Sequence, residues 1–281
     1  MRVAFLGPAG TFTEEALRHS APADAEVEEV PYPTVYETVM AVQAGAADRA
    51  VVPIENSLEG SVTATLDALA GEADRVRIAA EVVRPVSHCL IAPAGVGIAD
   101  VRRVVSHPQA IAQCAGFLRE RLPAAEPASA PSTADAVRTV AGAGEPWAAL
   151  GPRLAAELYA CEVLAEGVED GSDNHTRFVW LAPEGVTPSA PAAKTSIMFW
   201  GFNDESPGAL VGVLGELAER EINLTKIESR PRRVRLGHYM FFADLEGSAE
   251  ESPVREALEA LGSRVQTLKV LGSYPVAAAG A

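Results

Sequence analysis

The chain has 281 residues, 48% apolar and 22% charged, ordinary globular values with length enough for more than one hydrophobic core. A formal net charge of −15 argues against nucleic acid or an anionic membrane as a partner, so an anionic ligand would have to be held by local donors. No apolar run is long enough to cross a membrane, Met1–Gly7 lacks the apolar core of a signal peptide, and Cys89, Cys114 and Cys161 read as reduced thiols of a cytoplasmic protein with no metal-site spacing.

Arg2–Leu6 predicts a strand. It runs into Gly7-Pro8-Ala9-Gly10-Thr11, where Thr11 can cap a helix over Phe12–His19 carrying Glu14 and Glu15 in its first turn. Free N–H groups in that turn can hold an anion. A strand over Glu26–Val30, a helix over Thr34–Ala44 with Val35, Val39 and Val42 on one face, and a strand over Ala50–Ile54 follow. This βαβαβ order implies a largely parallel sheet. The third strand ends in Glu55-Asn56-Ser57-Leu58-Glu59-Gly60-Ser61, and a helix starts at Ser61 or Thr63 and runs to about Leu69. A plain N-cap needs one polar residue, and this stretch has a carboxylate, an amide and two hydroxyls. Ligands of α/β sheets bind at such carboxyl ends of strands.

Arg77–Ile91 reads as a crossover into a second lobe. There the pattern predicts a strand at Val101–Val105, helices at Pro108–Arg121 and Ser132–Ala141, a strand at Trp147–Leu150 and a helix at Pro152–Tyr159. Pro108 and Pro152 suit first helical turns. Ser106-His107-Pro108-Gln109 joins strand to helix, with Ser106 a good N-cap. The chain returns through Glu162–Val168 to Asp173-Asn174-His175-Thr176-Arg177-Phe178. These polar side chains sit at the mouth of a buried strand, Phe178–Leu181, with a rigid scaffold behind them. Lobe one (about 1–76 plus 164–182) and lobe two (about 77–163) would enclose a hinged cleft.

Residues 183–194, with Pro183, Pro188 and Pro191, read as a linker. The remaining unit, 195–275, has the order βαββαβ of a ferredoxin-like fold. Its strands are Thr195–Phe202, Leu224–Ser229, Leu236–Leu245 and Val265–Leu271, and its helices Pro207–Arg220 and Glu250–Leu261. Ser206 is expected to cap the first helix, which should bury Leu210, Val213, Leu214 and Leu217. The tail, 276–281, is expected to be disordered.

Gly7-Pro8-Ala9-Gly10-Thr11-Phe12, Pro53-Ile54-Glu55-Asn56-Ser57, Ser106-His107-Pro108-Gln109 and Thr176-Arg177-Phe178, in this order and spacing, resemble prephenate dehydratase over nearly the whole chain. Gly208-Ala209-Leu210-Val211 and Glu228-Ser229-Arg230-Pro231 resemble its amino-acid-binding ACT domain. The resemblance implies an α/β protein: a two-lobed, periplasmic-binding-protein-like catalytic domain followed by the ferredoxin-like ACT domain. It implies decarboxylative dehydration of prephenate to phenylpyruvate, on the route to L-phenylalanine. Aromatisation drives the reaction, so no cofactor or metal is expected. The family's catalytic threonine falls on Thr176, with Glu55 and Asn56 beside it. Substrate contacts fall on Thr11, Ser57, Ser61, Ser106, Gln109, Arg177 and Phe178. A threonine hydroxyl is a poor acid, so Thr176 is expected to donate a hydrogen bond or end a relay. Glu55, His175 and water all stand as proton sources. Arg177 reads equally as structural, since neighbours on a strand face opposite ways.

For the ACT unit the resemblance implies allosteric L-phenylalanine held by Gly208, Ala209, Leu210, Asn223, Glu228, Ser229 and Arg230, in a homodimer or homotetramer. Arogenate dehydratase and a non-aromatising prephenate decarboxylase share the scaffold and stand as alternatives. So does a solute-binding protein without chemistry, which the appended ACT unit argues against.

Overall fold

The computed structural model describes residues 1–23, 25–171, 173–188, 190–202 and 206–277. The first stretch of chain forms β1 (Arg2–Leu6), α1 (Phe12–Ser20), β2 (Glu28–Tyr32), α2 (Val35–Gln43), β3 (Arg49–Asn56), β4 (Gly60–Ser61), α3 (Thr63–Ala70) and β5 (Val76–Pro85). A second stretch forms β6 (Cys89–Pro93), β7 (Arg103–Ser106), α4 (Pro108–Gln113), α5 (Ala115–Arg121), β8 (Glu126–Ser129), α6 (Thr133–Ala141), β9 (Trp147–Gly151), α7 (Arg153–Leu158) and β10 (Cys161–Ala165). The chain then returns as β11 (His175–Pro183). The first sheet has the order β2-β1-β3-β11-β5, with β4 paired to β3, and the second β10-β6-β9-β7-β8. Thus β11 enters the first sheet between β3 and β5, which brings Thr176 beside residues far earlier in the chain.

Both sheets contain antiparallel as well as parallel pairs. β1 and β2 run parallel, but β4 turns back on β3 and β6 is antiparallel to both β9 and β10. Only a crossover connection makes neighbours parallel, and a tight turn such as the one from β3 to β4 reverses the chain instead. That turn places Ser61 in a strand, so the helix starts at Thr63 alone. β5, expected as part of the crossover, is instead a ten-residue strand of the first sheet.

The second sheet is covered on both faces. Ala149 of β9 packs with Val137 and Val140 of α6, while Ala148 and Leu150 pack with Cys114 and Leu122. This is the alternation a strand imposes. The single helix expected over Pro108–Arg121 is two, with Cys114 at φ −111° and ψ 15° between them. The second start is supplied with an acceptor: the Asp170 carboxylate takes the N–H of Gly116 at 2.9 Å and that of Phe117 at 3.3 Å, satisfying donors that a new helix leaves open.

The C-terminal part forms β12 (Lys194–Trp200), α8 (Ala209–Ala218), β13 (Leu224–Pro231), β14 (Tyr239–Glu246), α9 (Ser252–Arg264) and β15 (Thr267–Tyr274). The sheet order is β13-β14-β12-β15. β12 is central and antiparallel to both neighbours. Its Ile197 and Phe199 meet Val213 and Leu217 of α8 and Ala257 and Leu261 of α9, with Leu210 and Leu214 partly buried beside them. Helix α8 starts later than expected: its N-cap is Gly208 at φ +81°, with no side-chain cap. Only glycine takes that angle without strain, so Gly208, and not Ser206, occupies the N-cap position. Glu205 and most of the tail expected to be disordered, 278–281, lie outside the described residues.

The chain packs as two compact units, Met1–Thr38 with Val51–Val62 and Val83–Phe178, and Val39–Ala50 with Thr63–Val82 and Val179–Ala281. Inside the second unit, α3 and the first half of β5 are gripped by the C-terminal sheet. The Arg230 fork holds both Asp67 oxygens at 2.9 and 2.8 Å. Lys269 donates to the carbonyls of Leu69 and Ala73, a cation at a helix C-terminus where it is favoured. Lys194 pairs with the buried Glu81 at 2.8 Å. Gly272 lies so close to Ile78 that a Cβ there would stand 2.2 Å from its carbonyl oxygen.

Candidate active site

A cavity of about 320 Å³ lies in the first unit. The β3–β4 turn contributes Asn56, Glu59 and Ser61, and the start of β11 contributes Asn174 and Thr176. Helix α4 contributes Gln109 and Gln113, and Ser132 and Thr133 open α6. Phe12, Val62 and Val86 supply apolar wall, and His88 and His107 complete the polar lining. Among the described residues Glu59 is the one carboxylate in this lining, which holds no lysine or arginine. Donors in this lining are neutral side chains and the start of α6, whose N-cap Ser132 accepts from Asp135 N–H at 3.0 Å.

The polar residues form one hydrogen-bonded chain. Asn56 Oδ1 accepts the N–H groups of Leu58 and Glu59, both at 3.0 Å. That fixes which end of the amide is oxygen. Asn56 Nδ2 therefore donates, to Asn174 Oδ1 at 2.7 Å and to Thr176 Oγ1 at 2.9 Å. Asn174 Nδ2 donates in turn to Gln113 Oε1 at 3.1 Å. Because Thr176 accepts from Asn56, its own proton is free to point elsewhere. The network thus offers the cavity the Thr176 hydroxyl as a donor and adds no charged side chain of its own.

Of the residues picked out in the sequence, Asn56, Ser61, Gln109 and Thr176 meet at this cavity. The others have different employment. Glu55 pairs with Arg177 at 3.2 Å, and alternation sets this pair on the faces of β3 and β11 opposite to Asn56 and Thr176. Neither Arg177 nor Glu55 is in the cavity lining. Ser57 Oγ donates to Asp173 O and accepts from His175 N, both at 2.9 Å, tying the turn to β11. Ser106 is fully buried and donates to Leu150 O at 2.7 Å. The cap of α4 is His107, whose ring accepts from Gln109 N–H at 3.4 Å. Phe178 is core, 2% exposed.

Thr11 donates to Leu6 O at 3.0 Å and accepts from Glu14 N–H at 3.3 Å. Nor does its turn offer a free anion site. The Gly10 N–H goes to Glu14 Oε2 at 2.5 Å, so the anion held there is the chain's own. Burial raises the pKa of that carboxyl, against the pull of Gly10 and Arg18.

Sequence reasoning missed Gln113, Ser132, Thr133 and His88, and gave Asn174, inside the polar run it singled out, no role. Gln113 was legible in principle, since it lies one helical turn after Gln109 on the same face. Among the described residues no group of three or more His, Cys, Asp or Glu side chains is placed to hold a metal ion. Burial pushes the Cys114 thiol up to about 12, which leaves it protonated and unreactive.

The residues expected to hold phenylalanine lie at the start of α8, just before β13 and on β13. Gly208, Ala209 and Leu210 open α8. Asn223 donates to Glu246 at 3.0 Å. On β13 Glu228 and Arg230 share one face and the exposed Ser229 takes the other. The Arg230 guanidinium is occupied by Asp67.

An α/β protein with a polar, strand-end cavity, joined to a βαββαβ ferredoxin-like fold, is the class these features define. Residues 3–185 match the family model for prephenate dehydratase, and residues 202–263 match the ACT domain. The chain belongs to the prephenate dehydratase family. It is 43% identical to the prephenate dehydratase of Mycolicibacterium vanbaalenii, over 97% of this chain and 90% of that one. A crystal structure of the Arthrobacter aurescens prephenate dehydratase in complex with L-Phe is similar at a TM-score of 0.90 and 39% identity, covering 98% of this chain and 90% of that one. GqqA, described as a novel type of quorum-quenching acylase, is similar at a TM-score of 0.88 and 34% identity, covering 99% and 98%. Among the described residues no helix is long and apolar enough to cross a membrane.

Proposed function

We propose that this protein is a prephenate dehydratase, a carbon–oxygen lyase of the cytoplasm, acting as a homo-oligomer under control of L-phenylalanine. Prephenate, with one proton, gives phenylpyruvate, carbon dioxide and water. The electron pair of the ring–carboxylate bond enters the ring as the C–O bond to the leaving hydroxyl breaks. The site has to stabilise the departing hydroxide without gripping the departing carboxylate. The observation that carries this reading is the Asn56–Thr176 bond: it leaves the Thr176 proton for a group in the cavity. A lining free of lysine and arginine suits a carboxylate that must leave. Glu55 is engaged by Arg177 and neither it nor His175 lines the cavity, which leaves water, of the three expected proton sources, together with Glu59 and His107 of the lining.

The acylase chemistry of GqqA does not carry over as readily. A hydrolytic threonine needs a base on its hydroxyl, and the partner of Thr176 is the Asn56 amide, a donor.

The catalytic domain is proposed as 1–182, the linker as 183–194 and the ACT domain as 195–275. Phenylalanine binding is supported by the ligand named for the Arthrobacter structure. Product analysis with prephenate and arogenate side by side, with and without L-phenylalanine, tests all of this. Phenylpyruvate from prephenate is the expected product, and its formation should slow with phenylalanine. Phenylalanine from arogenate alone, or a product that keeps a non-aromatic ring, would replace this reading by one of its relatives.

A further inference from the structure

We propose that His88 is a positioning residue for the reaction, holding Gln113 so that its amide N–H groups, and not its oxygen, face the cavity. This rests on the dehydratase reading for its kinetic consequence but on geometry alone for its structural one. His88 precedes β6 and is 3% exposed. Its Nε2 lies 3.2 Å from Gln113 Oε1, and its Nδ1 is buried with no hydrogen-bond partner among the described residues. Phe12 meets the ring edge-on at 5.4 Å between centroids, and Glu169 receives the His88 backbone N–H at 2.8 Å.

The polarity of this contact is dictated from the far end of the network. The N–H groups of Leu58 and Glu59 make Asn56 Oδ1 the acceptor. Asn56 must then donate to Asn174 Oδ1, and Asn174 to Gln113 Oε1. An oxygen that already accepts from Asn174 asks for a second donor, so His88 carries its proton on Nε2. Gln113 Oε1 is thereby bonded from two sides, one from the residue beside Thr176 and one from His88. Rotating the amide by half a turn would set its NH2 against two donors, which costs the full desolvation of groups left unpaired. With the oxygen pinned, the Gln113 NH2 is left for the occupant of the cavity. Desolvation holds the His88 pKa below its ordinary value, so the neutral ring is the form present.

Nitrogen-15 NMR of the full-length protein near neutral pH reads the tautomer directly, with His88→Gln identifying the resonance. The expected signal is the neutral ring protonated on Nε2. Protonation on Nδ1 overturns the proposal whatever the enzyme's substrate proves to be. Kinetics supply the second arm. His88→Phe removes the donor and should lower kcat by about tenfold to a hundredfold, as loss of an outer-shell partner does elsewhere, with KM changed less. His88→Gln keeps a donor at the end of its side chain and should recover most of that loss. In a Gln113→Ala background, His88→Phe should cost little more, because the two act as one unit. Equal damage from Phe and Gln at position 88 with the fold intact by circular dichroism, or fully additive losses in the cycle, overturns it. Absence of turnover with prephenate in the wild type, beside the expected tautomer, counts against the dehydratase reading and leaves the geometry standing.

Discussion

Asn56 donates its amide to the Thr176 hydroxyl at 2.9 Å while its own oxygen is held by two backbone N–H groups. The donor direction of the site is therefore set by backbone, which cannot be reoriented by a change of rotamer. Asn56→Asp should test this more sharply than alanine. An aspartate can still accept from Leu58 and Glu59, but its second oxygen would face Asn174 Oδ1 and draw the Thr176 proton out of the cavity. The expected loss in kcat is about 10²–10³-fold, the scale for removing one transition-state donor. Steady-state kinetics on prephenate measure it, and near wild-type turnover would show that the Thr176 proton is not used.

Thr176→Ala should lose about 10²–10³-fold in kcat with the fold and KM largely retained, since the hydroxyl is one small group at 8% exposure. Thr176→Ser should recover much of the rate. Equal damage from both would mean that the methyl group, and so packing, is what matters there.

Folding stability should fall as the solution is acidified below the ordinary histidine pKa of 6.5. His88 is held below that value by burial. Above 6.5 the ring is neutral in both folded and unfolded chains, so it contributes no pH dependence. Below it the unfolded chain takes up the proton first, which favours unfolding until the folded value is reached. Glu14 and Glu15 act in the opposite sense at lower pH, because burial raises both above 4.5. Urea unfolding of wild type and His88→Gln from about pH 7 to about pH 5 isolates the histidine. Parallel curves for the two proteins would exclude it.

Removing the C-terminal sheet should cost stability as well as regulation. A chain ending after Pro183 loses Lys194 from Glu81, Lys269 from the end of α3 and the Gly272 contact with Ile78. Asp67→Asn is the milder version. It should cost about 1–3 kcal/mol, chiefly through Arg230, because Arg233 is largely exposed and exposed pairs contribute little. Denaturant midpoints of the three proteins give the order wild type, Asp67→Asn, truncation. A truncation as stable as the full chain would remove α3 from the regulatory unit.

Cys114 should resist alkylation in the folded protein. It is 0% exposed, with a thiol pushed up to about 12. Mass spectrometry after brief iodoacetamide treatment should find label there only once the protein is unfolded.

The sequence by itself determined the local elements and the mouths of the strands. Polar runs interrupting apolar, β-branched stretches named Asn56 and Thr176, and hydrophobic periodicity named the βαββαβ order of the last part, because both signals are carried by neighbours in the chain. It could not determine which polar groups those mouths turn towards. Glu55 and Asn56 are adjacent, as are Thr176 and Arg177, and in each pair one side chain enters the cavity while its neighbour turns to the other face. The insertion of β11 between β3 and β5 decides which. Gln113 shares a helix face with Gln109, but nothing local ties it, or His88 just before a strand, to Asn174. They join the site only because the break at Cys114 and the packing of the second sheet deliver them to Asn174. The tertiary structure also gave Arg230 to Asp67, a partner 163 residues earlier in the chain. A fork of donors takes whichever carboxylate packing presents to it, and no local pattern in the sequence says which that will be.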